Sequence, residues 1–318
     1  MTTGAKNLLL LLLVAADVVL VTFVVDASGR SGPSAPTAGS SSTTGSTPTS
    51  SGTSTTGSSA AAGATLDPAN VALAPLSVTS PTAAWLATPG TCASGGASLQ
   101  TTTDAGRTWA TQSVPFKVVT RVDASSTTAG FLVGGDQSTC AAASRATNDE
   151  GATWGALGSL TGTWFIDPLK RSSVHSTAGT TSTPCADGEA RGLTRLSDDA
   201  AAVLCASGSV VTSTDRGRTW TPAPSHDKAL ALAAATSPAG VRLAVLASDP
   251  SCAGVAVFSG ASTDAALRQT GCVPIPSPGQ VTSIGFAMQP GSARTAWVVA
   301  GTTAYVSTDG LVTWKAAG

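Results

Sequence analysis

The side chains that could bind a metal ion or activate a nucleophile are sparse in this chain. His175 and His226 are its two histidines, and neither has a second histidine or an acidic residue at metal-ligand spacing. No serine stands in a Gly-x-Ser-x-Gly elbow, and Gly134–Gly135 lacks the strand and helix that flank a phosphate-binding loop. Asp198–Asp199 is typical of a turn between strands. The sequence therefore predicts no catalytic residue, no metal site and no cofactor, and we expect both histidines to be solvent-exposed in loops.

The composition of the 318 residues excludes two broad classes of protein. There are 17 Lys+Arg against 18 Asp+Glu, a formal net charge of −1, so no basic surface predicts binding to nucleic acid. The chain has 34 Gly and 18 Pro but only two Glu and five Lys, which are the residues that long surface helices use. Its hydrophobic residues, 42% of the total, are mostly Ala and Val. We therefore expect an all-β protein with a core of short strands.

Residues 1–26 form a predicted membrane anchor or signal segment. Leu8 to Val25 is an apolar run of 18 residues, interrupted near its middle by Asp17 and preceded by Lys6. Its length reaches the lower limit for a bilayer-spanning helix, and the single preceding Lys favours a cytoplasmic N-terminus. We expect one transmembrane helix, with the rest of the chain outside the cytoplasm. The alternative is a cleaved signal peptide and a secreted protein, because Val25–Ala27 resembles a small-x-small cleavage site.

Residues 27–65 consist of Ser, Thr, Gly, Ala and Pro, with Arg30 as the one charged residue. No apolar period in this stretch could bury a core, so the composition predicts a disordered linker. A flexible chain of this length spans about 31–37 Å on average.

Residues 66–318 contain all six cysteines, all seven tryptophans and a recurring motif, [S/T]-x-D-x-G-x-T-W, which we call the repeat motif. It occurs four times, with its Gly one place early in the last copy. Its residues are Asp104, Gly106, Thr108 and Trp109; Asp149, Gly151, Thr153 and Trp154; Asp215, Gly217, Thr219 and Trp220; and Asp309, Thr313 and Trp314. Such a repeat indicates an array of similar structural units.

The spacing of the motif sets the length of the unit. Successive aspartates are 45, 66 and 94 residues apart. Because 94 is about two periods, a decayed copy is expected near residue 262, and Asp264 stands there without the Gly and Trp of the motif. The surplus of the 66-residue interval falls in Ser172–Pro184, which we interpret as an inserted loop.

Each unit of about 45 residues carries four short β-rich runs, the size of a β-propeller blade. Leu243–Leu246 and Ala296–Val299 are such runs, and Ala304–Ser307 leads directly into the last motif. The five motif copies predict five blades, or six if the insertion contains a degenerate blade.

The repeat motif has the residue types of a hairpin device. Its Asp is expected to accept hydrogen bonds from the backbone two residues onward, and its Gly permits a positive φ. Its Trp is expected to begin the outer strand and to bury its ring between neighbouring blades. On these residues the segment 66–318 resembles the Asp-box, or BNR-repeat, β-propellers, a family that includes sialidases and the photosystem II assembly and stability factors. The resemblance implies that the motifs lie between the third and fourth strands, away from the ligand-binding face.

The resemblance also makes a sialidase-like hydrolase the sharpest enzymatic hypothesis. That chemistry needs an arginine cluster, a Tyr nucleophile with a Glu base, and an acidic proton donor. The single tyrosine, Tyr305, and the two glutamates, Glu150 and Glu189, lie in separate segments, and the family's Arg-Ile-Pro segment is absent. Six arginines outside the motifs are interpreted as solvated surface: Arg121, Arg171, Arg191, Arg195, Arg242 and Arg294. A sialidase site is therefore not predicted.

The six cysteines map to loops on the face opposite the motifs, and an exported protein with an even cysteine count is expected to form disulfides. Cys185 with Cys205, and Cys252 with Cys272, each enclose about 20 residues within one blade. Cys92 and Cys140 are left to join two neighbouring blades.

Together these features predict a membrane-tethered, extracytoplasmic β-propeller that acts as a non-enzymatic binding or assembly module. We expect a monomer whose partner is an envelope protein or a glycan. The alternative is a glycan-active hydrolase with an unrecognised site.

Overall fold

The computed structural model of the protein describes residues 66–317, which form a six-bladed β-propeller. The prediction of an all-β propeller is confirmed, and of the two blade counts that the sequence allows, six is correct and five is wrong. The predicted anchor and linker, residues 1–65, lie outside the described residues. Within residues 66–317, no helix has the length and apolar character needed to cross a membrane.

The described strands, in chain order, are β1 Ala72–Leu73, β2 Leu76–Val78, β3 Ala84–Thr88, β4 Ser98–Thr102, β5 Ala110–Ser113, β6 Phe116–Ala124, β7 Gly130–Asp136, β8 Ala142–Thr147, β9 Phe165–Ile166, β10 Val174–His175, β11 Thr181–Ser182, β12 Ala190–Arg195, β13 Ala201–Cys205, β14 Val210–Ser213, β15 Thr221–Ala223, β16 Ala229–Ser237, β17 Gly240–Ala247, β18 Val255–Ala261, β19 Arg268–Val273, β20 Ser283–Met288, β21 Ala296–Ala300, β22 Thr303–Ser307 and β23 Lys315–Ala316. Two short 3-10 helices, Pro68–Asn70 and Pro278–Gln280, complete the regular structure. Blades 1 to 6 consist of β2–β5, β6–β8, β9–β11, β12–β15, β16–β19 and β20–β23, and β1 joins the sixth.

The first and second strands of the blades carry many of the buried apolar residues. Every residue of β13 and β21 is buried, because a neighbouring blade packs against each side of these sheets. Alanine is frequent there, as in the run Ala229–Ala235 of β16, and its small side chain lets adjacent sheets approach closely. The outer strands β5 and β15 are mostly exposed. The Ala- and Val-rich composition is therefore explained by packing on both faces of each sheet.

The N-terminal end of the described chain closes the ring. β1 pairs in parallel with β20, the inner strand of blade 6, with Ala72 opposite Ser283 and Leu73 opposite Ile284. The chain then continues through Pro75 into β2, the inner strand of blade 1. One extended segment therefore connects the last blade to the first.

The segment predicted to be an inserted loop belongs to blade 3, so that prediction is wrong. Ser172–Pro184 contains β10 and β11, which pair with β9 in a three-stranded sheet. Ser176 Oγ accepts hydrogen bonds from the backbone N–H groups of Ala178 (3.3 Å) and Thr180 (3.2 Å), as the first Ser or Thr of the repeat motif does elsewhere. Ala178 occupies the Asp position, so blade 3 contains a sixth, decayed copy. Its β9 corresponds to the second strand of other blades, and the inner strand is missing.

The repeat motifs form turns after the third strands of their blades, and in blades 1, 4 and 6 these turns lead into a fourth strand. In the first copy, Thr108 donates to the carboxylate of Asp104 through its backbone N–H (3.0 Å) and its hydroxyl (2.6 Å). The backbone N–H two residues after the Asp, that of Gly106, instead donates to Thr102 Oγ1 at 3.1 Å. The prediction that the donor lies two residues after the Asp is therefore wrong, because the donor lies four residues after it. The second and third copies have the same contacts.

Two successive positions of the turn have positive φ, which explains the shifted Gly of the last copy. Ala105 and Gly106 have φ of 66° and 87°, and in the last copy Gly310 and Leu311 have φ of 86° and 76°. Because both positions are left-handed, the Gly can occupy either one. The decayed copy differs more, since Asp264 Oδ2 accepts from the backbone N–H of Ala261 at 2.7 Å, three residues before it.

Candidate functional site

The inner strands of five blades enclose a central channel that contains a cavity of about 270 Å³. Its wall includes residues of β2, β6, β12, β16 and β20. Blade 3 contributes no inner strand, so β6 and β12 flank the gap in front of β9. The channel is therefore asymmetric, with its polar side at the gap.

Four arginines line this cavity, and we call them the channel arginines: Arg121, Arg171, Arg191 and Arg195. The interpretation as scattered surface residues is therefore wrong for Arg121, Arg171 and Arg191, whereas Arg195 lines the cavity and is also exposed. Arg121 lies on β6, Arg191 and Arg195 lie on β12, and Arg171 lies between β9 and β10. They meet because blade 3 lacks the inner strand that would separate β6 from β12. The other two arginines of the set lie elsewhere: Arg242 donates to Ser259 Oγ (2.8 Å) and to the carbonyl of Gly310 (3.2 Å), and Arg294 is exposed.

Arg121 forms a hydrogen bond to the backbone of blade 3 on the side where the missing strand would pair. Its Nη1 donates at 2.5 Å to the backbone carbonyl of Trp164, directly before β9, which has no strand partner on its channel side. Its other terminal nitrogen forms an ion pair with Asp123, two residues along β6. Burial lowers the pKa of Arg121, and the Asp123 carboxylate opposes that shift. The side chain of Arg121 is therefore mostly enclosed, and the Asp123 carboxylate balances its charge.

The charge of Arg195 is also balanced by a carboxylate. Its Nη2 donates to Asp198 Oδ1 at 2.6 Å, and Asp198–Asp199 lies in the turn between β12 and β13. The pKa of Asp198 is lowered chiefly by this hydrogen bond. Both partners are largely exposed, so the pair is a surface ion pair at one end of the channel.

Arg171 and Arg191 form the part of the cluster without a paired carboxylate. Arg171 Nη2 donates to the backbone carbonyls of Ala190 (3.2 Å) and Arg191 (3.0 Å), and Arg191 Nη2 donates to that of Val71 (2.9 Å). Within residues 66–317, neither arginine has a carboxylate at ion-pair distance. Burial lowers the pKa of both, and the charge of Arg171 lowers that of Arg191 further. Arg191 Nη1 is buried and has no hydrogen-bond partner in the described structure.

The side chains that a sialidase-like reaction would need are not brought together in the described part of the chain. Tyr305 is buried in the core between blades 5 and 6, and this burial raises its pKa. Glu150 lies in the turn of the second motif, and Glu189 is exposed. Asp123 is the one acidic residue among those that line the cavity, and it is paired with Arg121. The channel therefore holds arginines without a pair of free carboxylates.

The structure corrects the placement of one histidine. His175 lies on β10, where its ring stacks on Phe165 at 4.5 Å. Its Nε2 is 3.2 Å from Asp167 Oδ2 and its Nδ1 is 3.0 Å from Thr181 Oγ1. It is therefore a bonded strand residue and not a free loop histidine, and it lies outside the cavity lining. His226 does lie in a loop, but it is half-buried and stacked on Phe258 at 3.8 Å, so its predicted exposure is wrong.

The predicted presence of disulfide bonds is confirmed. The bonds join Cys92 to Cys140, Cys185 to Cys205, and Cys252 to Cys272. The first connects loops of blades 1 and 2 that lie beside blade 3, since Cys92 Sγ is 3.6 Å from the carbonyl of Pro168. Cys185, Asp187 and Cys205 have ligand atoms within 4.8 Å of one another, but the disulfide removes the thiolates that a metal ion would need.

The motif tryptophans differ in burial, since Trp314 is buried and Trp109 is half-buried. The motif residues Trp154 and Trp220 are half-buried and donate to the preceding blade, to the carbonyl of Ser113 (3.1 Å) and to Ser182 Oγ (2.9 Å). The fully buried rings are three that the motif does not include: Trp85, Trp164 and Trp297. The second strands of blades 1 and 6 and the residue before β9 supply them.

Comparisons with known proteins find similar solved structures and assign no family. No family model and no curated protein matches the sequence. Among solved structures, the chain is similar to YCF48 bound to D1 peptide, at 16% identity over 81% of this chain and 85% of that one, with a TM-score of 0.30. It is also similar to the Hadza microbial sialidase Hz136, at 13% identity over 77% and 65% of the two chains, with a TM-score of 0.44. PorZ of the type-IX secretion system of Porphyromonas gingivalis matches at 13% identity over 78% and 38%, with a TM-score of 0.40.

Proposed function

We propose that the protein is a membrane-tethered, extracytoplasmic binding module, and that the central channel is where it recognises its partner. The observation that carries this proposal is the cluster of four channel arginines around one cavity. A buried charge is costly unless it is paired, so an arginine cluster that exceeds its carboxylates favours a partner with negative charge. A concave site with a few converging polar groups is also the usual form of a binding site.

The absence of a carboxylate pair favours binding over hydrolysis. Glycoside hydrolysis needs an acid and a second catalytic side chain on opposite sides of the bond. Among the residues that line the cavity, Asp123 alone is acidic, and its ion pair with Arg121 leaves it poorly suited to transfer a proton. The alternative, a glycan-active hydrolase, is supported by the arginine cluster alone.

The position of the first described residues supports a tether on the channel face. The carbonyl of Leu66 accepts from Ser248 Oγ at 2.9 Å, and that of Val71 accepts from Arg191. The chain thus enters the propeller beside the channel arginines. The anchor at residues 1–26 would tether the propeller outside the cytoplasm. Alkaline phosphatase fused after Gly318 should therefore be active, and an inactive but stable fusion would contradict this topology.

Photo-crosslinking in living cells tests the binding role with a matched control. Leu169 and Val312 are both large, exposed apolar residues. Leu169 lies in the loop between β9 and β10, two residues before Arg171, which lines the channel. Val312 lies in the last motif, in the loop between β22 and β23. We expect p-benzoylphenylalanine in place of Leu169 to capture a defined envelope partner, and the same residue in place of Val312 to capture none.

Two results would contradict the proposal. One is a partner that crosslinks at Val312 and not at Leu169. The other is turnover of acidic glycans by the purified protein that is lost in Asp123→Asn, because that outcome would establish the hydrolase.

A further inference from the structure

We propose that Arg171 and Arg191 form a subsite for a single oxyanion, a carboxylate or phosphate group, carried on a small ligand or on the end of a chain. This inference rests on the proposed binding function and names the chemistry that the channel recognises. It goes beyond the presence of four arginines because it assigns the two pairs of arginines different roles.

The distribution of charge separates the two pairs. Arg121 and Arg195 each form an ion pair, with Asp123 and Asp198. The charge of Arg171 lowers the pKa of Arg191, so the two groups are close, yet Glu189 acts on Arg171 and Asp67 acts on Arg191 only through longer-range attraction. The excess positive charge of the channel is therefore located at these two residues, beside the gap left by the missing strand of blade 3.

The geometry of the two guanidinium groups is fixed before any ligand arrives. Arg171 Nη2 is held by two backbone carbonyls, and Arg191 Nη2 is held by the carbonyl of Val71. Arg191 Nη1 remains a buried donor without an acceptor in the described structure. A buried donor of this kind is rare in folded proteins, and it destabilises the folded state as long as it has no acceptor. An oxyanion in the cavity would supply the opposite charge that Arg171 and Arg191 lack, and it would contact donors of theirs other than this enclosed Nη1 atom.

The size and shape of the site limit the ligand. The guanidinium group presents paired donors in a planar fork that matches carboxylate and phosphate oxygens. The cavity of about 270 Å³ is near the lower end of the range of about 300–1,000 Å³ for small-molecule sites. It therefore admits a small molecule or one terminal group, and not the surface of a folded protein.

Binding of simple probes to the full-length protein in detergent tests the subsite. The probes are inorganic phosphate, and N-acetyl-alanine with its carboxyl-amidated form as the uncharged control. We expect saturable binding of phosphate, of N-acetyl-alanine or of both, with no binding of the amide, by calorimetry and by a rise in melting temperature. Which of the two charged probes binds distinguishes a phosphate ligand from a carboxylate ligand.

Variants locate the subsite within the channel. Arg171→Gln and Arg191→Gln should each weaken probe binding by about tenfold or more, the loss expected for a charge-assisted hydrogen bond. Arg195→Gln is the matched control, because Arg195 lies four residues from Arg191 on the same strand and lines the same cavity but is paired with Asp198. It should change the affinity less than twofold. Arg191→Lys, which keeps the charge but not the fork, serves as a second variant if Arg191→Gln does not fold.

The inference is overturned if neither charged probe binds, or if Arg195→Gln weakens binding as much as Arg171→Gln. Its failure can be told apart from failure of the proposed function. Crosslinking at Leu169 without probe binding would remove the oxyanion subsite and leave the binding role. Probe binding without any partner crosslinked at Leu169 would retain the subsite and remove that role.

Discussion

The indole N–H of Trp297 in blade 6 donates to the backbone carbonyl of Ser80 in blade 1 at 3.2 Å, across 217 residues of sequence. The same contact recurs where Trp85 donates to the carbonyl of Thr127 in blade 2 (3.1 Å) and Trp164 to that of Ser197 in blade 4 (3.2 Å). In each case a buried ring reaches the turn between the first two strands of the following blade. At Trp297 the contact also joins the last blade to the first.

Replacement of Trp297 should therefore destabilise the protein strongly. The ring is fully buried in the cluster between blades 6 and 1, so Trp297→Ala should lower the free energy of unfolding by about 3–5 kcal/mol. Trp220→Ala is the matched control from the repeat motif, and it should cost clearly less because that ring is only half-buried. Urea unfolding of both variants measures the difference, and an equal or greater cost for Trp220→Ala would contradict it.

Gly106 should be less replaceable than Gly310, although both lie in motif turns with nearly equal φ of 87° and 86°. A Cβ on Gly106 would lie 2.4 Å from the Cβ of Ala304 in the neighbouring blade. The nearest atom to a Cβ on Gly310 would be Arg242 Nη1 at 3.6 Å, an ordinary contact. Alanine at either position is strained at positive φ and should cost more than about 1 kcal/mol. Gly106→Ala should add a steric cost that Gly310→Ala lacks, and equal urea midpoints would show that the blades are not packed this closely.

Motif spacing predicts the length of the repeating unit but not the correct number of blades. The interval of 66 residues contains Ala178, 29 residues after Asp149 and 37 residues before Asp215. The first part is much shorter than the period of 45, because blade 2 has no fourth strand and blade 3 has no inner strand. Ser176 keeps the turn hydrogen bonds without the Asp and Trp that identify a motif. Counting motifs therefore missed a blade whose hairpin needs only the Ser hydroxyl.

The sequence alone does not predict that the channel arginines lie around one cavity. Arg191 and Arg195 are four residues apart on one strand, so they share a face. Arg121 and Asp123 are two residues apart on β6 and also share a face. Charges at such spacing within an otherwise apolar strand were the available signal. The residues that converge on Arg191 come from distant segments, such as Val71 and Arg171, and this convergence depends on the strand that blade 3 lacks.

Loss of the disulfide that joins two blades should cost more than loss of one within a blade. Cys92 and Cys140 are 48 residues apart, and Cys252 and Cys272 are 20 apart. In the chain-entropy account these closures contribute about 4 and about 3 kcal/mol. The double variant Cys92→Ala/Cys140→Ala should therefore be the less stable of the two double variants in urea. The reverse order would indicate that native-state packing and not loop closure governs their contribution.

Acid should weaken the motif turns within a defined pH window. The backbone N–H and hydroxyl of Thr219 lower the pKa of Asp215 to about 2 from an ordinary value of 3.8, and Asp149 and Asp309 also have pKa values of about 2. Because the folded-state pKa is depressed, this stabilisation is fully present above about pH 4 and is lost as the pH falls through about 2. The melting temperature should therefore fall steeply between these values.

Neutral variants separate the motif from general acid effects. Asp215→Asn should lower the melting temperature at pH 7, because the amide cannot accept both threonine hydrogen bonds as a carboxylate does, and it should flatten the fall between about pH 4 and pH 2. Asp264→Asn removes the same charge from the decayed copy, where Asp264 accepts one hydrogen bond from Ala261 and has no threonine partner. It should leave the slope close to that of the wild type. If the two variants had the same melting temperatures from pH 2 to pH 7, the threonine contacts of the repeat motif would not be what makes the propeller sensitive to acid.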